Sequence, residues 1–364
     1  MGKKEISSVL YILRAGSSDN TAYTHRVLKL KEGLDKRGIR TGVYYIGDDP
    51  VTSHTMIPLY VFRVAKIMRQ YDAVHAGASP SAHVAVLSKW LTRTRIYYDM
   101  HGDRIQEILQ EISLGMKPWH SIFKTVIQNA TATYGSHFYL PASGPLLQKL
   151  RRRGIPAKKI TLVRNGVDLD LFQANPIKEH DTRIFTYAGK FQAYQAVSDF
   201  IDAAEQIQNP KIKFRIIGFG EEDREQKEAI RQRLQGRIEL IDQVPQADLI
   251  RYLEESDVLV IPRRKSPVTK VALPTKFAEY IALSRPVLVA NVDETEDFVR
   301  QSGCGVVYEE GADGLKKAIL RMAEKSIAEL NEMGKKGRQL AESVFSWDVI
   351  WKQYAKAYGI DEGK

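Results

Sequence analysis

Short apolar runs alternate with helix-length amphipathic segments along the whole chain. Each run is rich in β-branched and aromatic residues and too short for a helix, so it predicts a buried strand. Their alternation with helical segments predicts right-handed βαβ units and parallel sheets. The predicted strands are Val9–Leu13, Gly42–Ile46, Ala73–His75, Arg95–Tyr98, His137–Leu140, Ile160–Val163, Arg183–Tyr187, Phe214–Ile217, Ile238–Ile241, Val258–Ile261, Val287–Ala290 and Gly305–Val307.

The predicted helices fall into two series separated by a polar connector, Gln173–Asp181. We therefore expect an α/β chain of two Rossmann-like, doubly wound domains, residues 1–172 and 173–345, which face each other across a cleft. A last aromatic-rich helix within residues 346–364 is expected to pack back on the first domain. The other helices are predicted over residues 20–37, 56–71, 79–91, 119–134, 142–152, 196–207, 222–234, 246–255, 275–283, 293–301, 312–323 and 326–343.

The composition excludes several classes of protein. Apolar residues make up 43% and charged residues 27% of the 364 positions, which excludes a disordered or collagenous chain. Cys304 is the only cysteine, so no internal disulfide can form and a reducing compartment is indicated. The apolar stretch Val9–Leu13 is too short for a signal-peptide core, and the uncharged run Thr125–Gln148 is too polar to span a membrane. We expect a cytoplasmic protein.

The positive charge is confined to the first half. Residues 1–172 have a net charge of +12 and the remaining residues −2, which together give the +10 of the chain. This asymmetry favours an anionic partner of the first domain: a phosphorylated acceptor, an acidic membrane surface or nucleic acid. Solvated side chains without a partner are the alternative. Nucleic acid is the least favoured partner because the aromatic residues are not interleaved with the basic ones.

Two glycine-containing turns follow predicted strands. Gly16, within Arg14–Ser18, precedes a helix, so backbone N–H groups there either hold a phosphate or only form a tight turn. Gly218 and Gly220 are followed by three acidic residues, which would repel a phosphate. We therefore interpret these glycines as permitting close approach of a ligand.

Asp168 and Asp170 form a D-x-D pair, which in some transferases binds a divalent metal. Asn165-Gly166, directly before it, is typical of a turn. The turn is the preferred interpretation, and we predict no metal site.

The segment after the strand Val258–Ile261 carries the clearest candidate chemistry. A helix begins at Pro274 or Thr275, and its first N–H groups, its dipole and the Lys276 ammonium converge on one anion-sized spot. Glu279, one turn later, is placed to accept hydrogen bonds from a ribose diol. The alternative is a surface loop, a capped helix and a solvated glutamate.

Three segments together resemble retaining glycosyltransferases of the GT-B fold, the large family four. They are Asn165–Asp168, Tyr187–Phe191, and Pro274–Ala282 followed by Arg285-Pro286-Val287. The resemblance covers almost the whole chain and is strongest from Val163 to Ala290. It implies a nucleotide-sugar donor held by the second domain, an acceptor held by the first, and no metal or other cofactor.

The resemblance also implies roles for individual residues. His101, just after a first-domain strand, would reach the donor sugar. Lys190 and Lys276 would stabilise the departing diphosphate electrostatically, and these three are the candidate catalytic residues. The candidate donor-binding residues are Gly16, Gly189, Gln195, Gly218, Arg263, Pro274, Thr275 and Glu279.

The chain departs from the family pattern at two positions. The family usually has two glutamates eight positions apart; Glu279 matches the second, but Val271 occupies the first position. The family also has a second basic residue on the diphosphate, where this chain has Gln195. A subset of the family with a similar helix start lacks the first glutamate, so the resemblance still implies activity.

We expect a hexosyltransferase that transfers a sugar, most readily from a UDP- or GDP-sugar, with retention of configuration. The acceptor would be a glycan, a lipid-linked molecule or a small molecule. Two alternatives remain open: a nucleotide-sugar epimerase, which shares this architecture, and a non-catalytic donor-binding partner subunit, suggested by Val271 and Gln195. The base, sugar and acceptor are not specified by the sequence.

Residues 56–71 and 117–127 predict peripheral contact with an anionic membrane on its inner face. Both segments combine basic residues with apolar stripes at helical spacing, as interfacial helices do. The alternative is that both stripes face the sheet. The stripes comprise Ile57, Val61 and Ile67 beside Arg63, Lys66 and Arg69, and Trp119, Ile122, Phe123, Val126 and Ile127 beside Lys117 and Lys124.

Overall fold

The computed structural model describes residues 6–14, 16–17, 22–48, 57–234 and 236–360. The chain divides into two compact units. The first unit comprises Met1–Asn165 and Asp348–Lys364, and the second comprises Gly166–Trp347. The division falls between residues 165 and 166, whereas the sequence pattern placed it after residue 172. The residues of the last helix from Asp348 onward belong to the first unit.

The described part of the first unit contains a five-stranded sheet in the order β2-β1-β3-β4-β5. All four strand pairings are parallel, and every residue of β1 is buried, as expected for a strand covered on both faces. The predicted doubly wound α/β fold is confirmed for this unit. The strands are β1 (Ser8–Leu13), β2 (Arg40–Tyr45), β3 (Ala73–Gly77), β4 (Arg95–Met100) and β5 (Phe138–Pro141).

The described part of the second unit contains a six-stranded parallel sheet in the order β11-β10-β9-β6-β7-β8. The chain order reverses between β6 and β9, and such a switch point leaves a crevice at the carboxyl ends of the strands. The strands are β6 (Arg183–Ala188), β7 (Ile212–Phe219), β8 (Ile238–Asp242), β9 (Val258–Ile261), β10 (Val287–Ala290) and β11 (Gly305–Tyr308).

Helices cover the sheets and also form the last element of the chain. Those of the first unit are α1 (Ala22–Asp35), α2 (Ile57–Met68), α3 (Ala78–Ser88), α4 (Arg104–Ser113), α5 (Ser121–Gly135), α6 (Gly144–Arg152) and α14 (Trp347–Tyr358), the first residue of which lies in the second unit. Those of the second unit are α7 (Val197–Gln206), α8 (Arg224–Leu234), α9 (Gln246–Glu254), α10 (Thr275–Ala282), α11 (Thr295–Ser302), α12 (Ala312–Ala323) and α13 (Ile327–Leu340).

The structure of the first unit differs from the prediction at two places. Residues 160–163 are not a regular strand: Ile160 makes one isolated parallel bridge to Tyr139. The N–H groups of Thr161 and Val163 still donate to the Tyr139 and Pro141 carbonyls of β5, both at 3.0 Å, so the segment lies along the edge of the sheet as an extended chain. Helix α4 was not predicted. Its apolar residues at helical spacing are the signal that was overlooked: Ile105, Ile108, Leu109 and Ile112.

Among the described helices, none combines the length and the hydropathy needed to cross a membrane.

Candidate active site

A cavity of about 320 Å³ opens in the second unit at the carboxyl ends of β6 and β7 and the first turn of α10. This position adjoins the switch point of the sheet. Several residues predicted separately from the sequence therefore line one cavity. The lining residues are Ala188, Gly189, Lys190, Ile217, Gly218, Gln243, Val244, Leu249, Leu253, Thr275, Lys276, Glu279 and Tyr280.

Glycines 189 and 218 let two backbone segments approach closely at the cavity. Their φ angles are +141° and +120°, a region that residues with a side chain rarely adopt. A Cβ atom at Gly218 would lie 2.9 Å from the carbonyl oxygen of Gly189, and a Cβ atom at Gly189 would lie 2.5 Å from Lys276 Nζ. At Gly218 the backbone of Gly189 leaves no space for a side chain, whereas at Gly189 the contact would be with the flexible end of Lys276. Glycine is therefore required at Gly218 for steric and conformational reasons, and favoured at Gly189 by its φ angle.

Lys276 places its ammonium group beside the end of β6. Its Nζ donates a hydrogen bond to the Ala188 carbonyl (2.7 Å) and lies 4.3 Å from the centroid of the Tyr187 ring. Burial lowers the pKa of Lys276 to about 7, although Glu279 opposes this shift. The side chain can therefore change charge near neutral pH, according to what else occupies the cavity.

Glu279 lies in the same cavity, one turn along α10 from Lys276. Burial raises the pKa of Glu279 above its usual range, and Lys276 partly offsets this effect. The cavity thus brings together one carboxylate and two lysines, Lys276 and the exposed Lys190.

Helix α10 begins at Thr275 without a side-chain cap from the preceding Pro274. Its first-turn N–H groups have no acceptors within the helix, so this end carries a partial positive charge. Because Thr275 and Lys276 line the cavity, the helix end adds to the charge of the two lysines. The arrangement can bind a doubly charged anion such as a diphosphate.

Gln195, Arg263 and Pro274 are not among the residues that line the cavity. Gln195 Oε1 is buried and has no hydrogen-bond donor within the described part of the chain. Nη1 of the buried Arg263 guanidinium donates to the Ala272 carbonyl (2.8 Å) and pairs with Asp293, so acceptors of its own unit hold this side chain.

Asp168 is used as a turn residue. Its Oδ1 accepts hydrogen bonds from the backbone N–H groups of Asp170 and Leu171, both at 3.2 Å, which is an Asx-type turn directly after the turn predicted at Asn165-Gly166. Within the described ranges, no group of three or more His, Cys, Asp or Glu residues could hold a metal ion.

The remaining two site candidates lie in the first unit. Gly16 belongs to the turn after β1, where the N–H of the next residue, Ser17, donates to the Asp48 carboxylate at 2.9 and 3.1 Å. This turn therefore already binds a carboxylate of its own chain. His101 follows β4, and its Nε2 lies 2.9 Å from Asp99 Oδ2.

The predicted stripe at the start of α5 is exposed except for the half-buried Ile122. Trp119 and Phe123 are 69% and 60% exposed, and Lys117 and Lys124 are exposed beside them. In the other predicted stripe, on α2, Val61 and Ile67 are half-buried. Residue 56 and the side chain of Ile57 lie outside the part of the chain that the structure describes. Helices α4 and α5 with their connection therefore present an apolar surface, called here the hairpin patch. It comprises Leu109, Leu114, Met116, Trp119, Phe123, Val126, Ile127 and Tyr134.

Sequence reasoning missed part of the cavity wall. Gln243 and Val244 follow β8, and Leu249 and Leu253 lie on α9. None of them carries a charge, so no chemical pattern marked them. Their only signal was topological, because the segment after β8 reaches the same sheet edge as those after β6 and β7.

Two protein-family models match the chain, and they meet near residue 170. The model described as Glycosyltransferase Family 4 matches residues 24–171, and that described as Glycosyl transferases group 1 matches residues 170–340. This junction lies close to the boundary predicted at residue 172.

The sequence of this chain is similar to that of the putative colanic acid biosynthesis glycosyltransferase WcaL of Escherichia coli (strain K12). The two are 24% identical over 222 residues, which are 59% of this chain and 55% of WcaL. The matched region thus spans about half the length of this relative.

Solved structures with low sequence identity share the fold over nearly the whole chain. Sucrose-phosphate synthase from Thermosynechococcus elongatus superimposes with a TM-score of 0.79 at 17% identity, over 97% of this chain and 98% of that one. Anabaena HepE in complex with UDP gives a TM-score of 0.75 at 15% identity, over 97% and 99% of the two chains. The two family models and the shared two-sheet fold show that this chain belongs to glycosyltransferase family 4 and has the GT-B fold.

Proposed function

We propose that the chain transfers a hexose from a nucleoside diphosphate sugar, with retention of configuration and without a metal ion. One observation carries the proposal: Lys190, Lys276 and the first turn of α10 line the same cavity as Glu279. Cations beside a helix N-terminus suit a diphosphate. A carboxylate one turn away suits the hydroxyl groups of a ribose.

The rest of the cavity suits the base of the nucleotide. Val244, Leu249 and Leu253 provide apolar contact area for a planar ring. Binding of UDP by HepE, a protein of the same fold, supports a nucleotide ligand. We infer a UDP- or GDP-sugar as the donor.

The proposed chemistry is front-face attack. The acceptor hydroxyl oxygen forms the new bond to the anomeric carbon as the bond from that carbon to the diphosphate oxygen breaks, and the hydroxyl proton passes to that oxygen. Charge builds up on the diphosphate as it departs, and preorganised cations stabilise this charge more in the transition state than in the bound donor. Lys190 and Lys276 are the proposed cations, and His101 is proposed to contact the sugar.

A donor screen followed by product analysis tests the proposal. A matching nucleotide sugar at about 100 times its dissociation constant should stabilise the protein by about 2.7 kcal/mol. The protein should then transfer the sugar to a glycan or lipid-linked acceptor in the presence of EDTA, with the donor's anomeric configuration retained by NMR. Release of an isomerised free donor without acceptor would identify an epimerase, and binding without turnover a donor-binding subunit.

We further propose that the hairpin patch contacts an anionic membrane and so brings the enzyme to a lipid-linked acceptor. The exposed apolar side chains of α5 stand beside Lys117 and Lys124, as in helices that lie in an anionic interface. The name of WcaL associates it with colanic acid biosynthesis, and an acceptor from polysaccharide assembly fits this location. Partitioning onto phospholipid vesicles of different charge tests the contact.

A further inference from the structure

Strand β11 forms one edge of the second unit's sheet, and β10 is its only neighbour among the strands that the structure describes. The Cys304 and Tyr308 carbonyls accept hydrogen bonds from N–H groups at the two ends of β10, at 3.2 and 2.9 Å. Along a strand, backbone groups that face one neighbour alternate with groups that face the other side. The N–H and C=O groups of Gly305 and Val307 therefore point away from β10, toward the position of a further strand.

A groove of about 690 Å³ follows this edge between β11 and α12. Val306 and Val307 line it from the strand, and Lys317 and Arg321 line it from the helix. Both valine side chains are only half-buried, although they belong to a strand of a parallel sheet. The strand edge and the apolar side chains next to it are thus accessible to a partner.

The two ends of the groove carry opposite charges. Glu309 directly follows β11 and Asp313 lies in the first turn of α12, so both carboxylates lie at the carboxyl end of the strand. A Cβ atom at Gly314 would meet the Glu309 carbonyl, which confirms that this turn of α12 adjoins the end of β11. Helix α12 then packs back along β11 and β10, and its rise places Arg321 about 12 Å from Asp313. The far end of the groove is therefore basic.

These charges are not compensated within the chain. Glu310, beside them, is held by its own unit, because its carboxylate accepts a hydrogen bond from the Lys265 N–H at 2.5 Å. Four other charged side chains of the groove are exposed and form no ion pair with any residue that the structure describes: Glu309, Asp313, Lys317 and Arg321. A partner with the reverse order of charges along its edge would pair with both ends of the groove.

We propose that this partner is a second copy of the chain, whose β11 pairs antiparallel with the first β11 about a two-fold axis. Antiparallel pairing places the amino end of one strand beside the carboxyl end of the other. Arg321 of each copy then lies beside Glu309 and Asp313 of the other copy, whereas parallel pairing would bring like charges together. The same surface supplies both halves of the contact, as a two-fold interface requires.

The proposed interface lies away from the cavity of the candidate active site. That cavity opens at the carboxyl ends of β6 and β7, and β10 and β9 separate β11 from β6 in the sheet. At about 4.8 Å per strand, the edge lies about 14 Å from β6. Pairing of the two edges therefore leaves the cavity of each copy uncovered, and the proposal does not rest on the function proposed above.

Sedimentation equilibrium of the full chain over a range of concentrations tests the proposal. We expect a reversible equilibrium between monomer and dimer. Arg321→Glu and Glu309→Lys should each weaken the dimer at least about tenfold, because each variant places like charges together at both ends of the contact. Arg224→Glu, at an exposed position of α8 beside the opposite edge strand β8, should leave the dimer unchanged. A wild-type chain that stays monomeric, or charge variants that dimerise as tightly as the wild-type chain, would overturn the proposal.

An equimolar mixture of the two charge variants tests the antiparallel arrangement. In a mixed dimer each acidic end meets a basic end again, so Arg321→Glu and Glu309→Lys should dimerise together although neither dimerises well alone. Hydrogen-exchange mass spectrometry of residues 304–309 should show slower amide exchange in the mixture than in either variant, because the outward N–H groups of Gly305 and Val307 become paired. A mixture that stays monomeric, or that dimerises without this protection, would refute the pairing of β11 with β11.

Discussion

The Lys276 ammonium group lies 2.7 Å from the carbonyl oxygen of Ala188, at the carboxyl end of β6. Burial outweighs this hydrogen bond, the nearby Tyr187 ring and the attraction of Glu279, and it lowers the pKa of Lys276 to about 7. A diphosphate in the cavity would provide a far stronger partner. The lysine is thus placed to gain full charge when the proposed donor binds.

We expect donor binding to take up a proton at pH 8. In the free protein Lys276, with a pKa of about 7, is mostly neutral at pH 8, and a bound diphosphate would raise this pKa. Affinity should therefore fall as the pH rises above 7, by up to about tenfold per pH unit. Calorimetry in two buffers of different ionisation enthalpy measures the uptake. Lys276→Met should abolish it, and equal uptake in that variant would assign the proton to another group.

The sequence predicted the fold more completely than the site. Continuous apolar strands such as β9 and β10 were predicted with the bounds observed, because burial on both faces leaves a simple pattern. Lys276 and Glu279 were placed together because they lie one turn apart on one helix. The contacts of Asp99, on β4, were not predictable, because His75 on β3 and Arg26 on α1 reach it from distant parts of the chain. The sequence signal that was overlooked is the charged residue Asp99 inside the otherwise apolar end of β4.

Glu279→Gln should weaken binding of the nucleoside diphosphate at least tenfold. Hydrogen bonds to a charged acceptor contribute about 1.5 to 3 kcal/mol, and Glu279 is the only carboxylate among the residues that line the described cavity. Glu332→Gln, an exposed change on α13, is the matched control. Titration calorimetry of each variant gives the affinities. Equal affinity of Glu279→Gln and the wild-type protein would remove Glu279 from the ribose site.

Gly218→Ala should lower the melting temperature more than Gly236→Ala. Both residues have positive φ angles, +120° and +76°, but only at Gly218 would the new Cβ meet backbone, at 2.9 Å from the Gly189 carbonyl oxygen. At Gly236 no atom lies within 4 Å among the described residues. Holding a residue with a side chain at such a positive φ angle costs about 1 to 3 kcal/mol of stability. Equal falls in the melting temperature of the two variants would show that the backbone at Gly218 and Gly189 can move apart without loss of stability.

The triple variant Trp119→Ser, Phe123→Ser, Ile127→Ser should lose binding to anionic vesicles. These side chains are 69%, 60% and 61% exposed, so their removal should leave folding intact while it removes the apolar contact with the interface. Co-sedimentation with phosphatidylglycerol-containing and pure phosphatidylcholine vesicles at low salt measures the partitioning. Leu320→Ser, at an exposed position of the second unit, is the control. Equal partitioning of the wild-type protein onto both vesicle types would contradict the membrane proposal.

Lys276→Ala should lower turnover about 100-fold, the scale of removing one preorganised charge stabiliser, with a smaller effect on donor affinity. The departing diphosphate carries more charge than the bound donor, so a cation that lines the cavity acts more on rate than on binding. Lys270→Ala, an exposed lysine in the preceding loop, controls for the loss of net charge.

The second basic residue of the family is absent at position 195, so Gln195→Lys in the Lys276→Ala background should restore part of the rate. The buried Gln195 Oε1 has no donor in the described part of the chain, so its replacement breaks no hydrogen bond at that atom. Single-turnover kinetics with saturating donor separates chemistry from binding in each variant. If Lys276→Ala keeps near-normal turnover, Lys190 and the first turn of α10 must stabilise the diphosphate alone. If only the rescue fails, position 195 does not reach the diphosphate, as its absence from the cavity lining suggests.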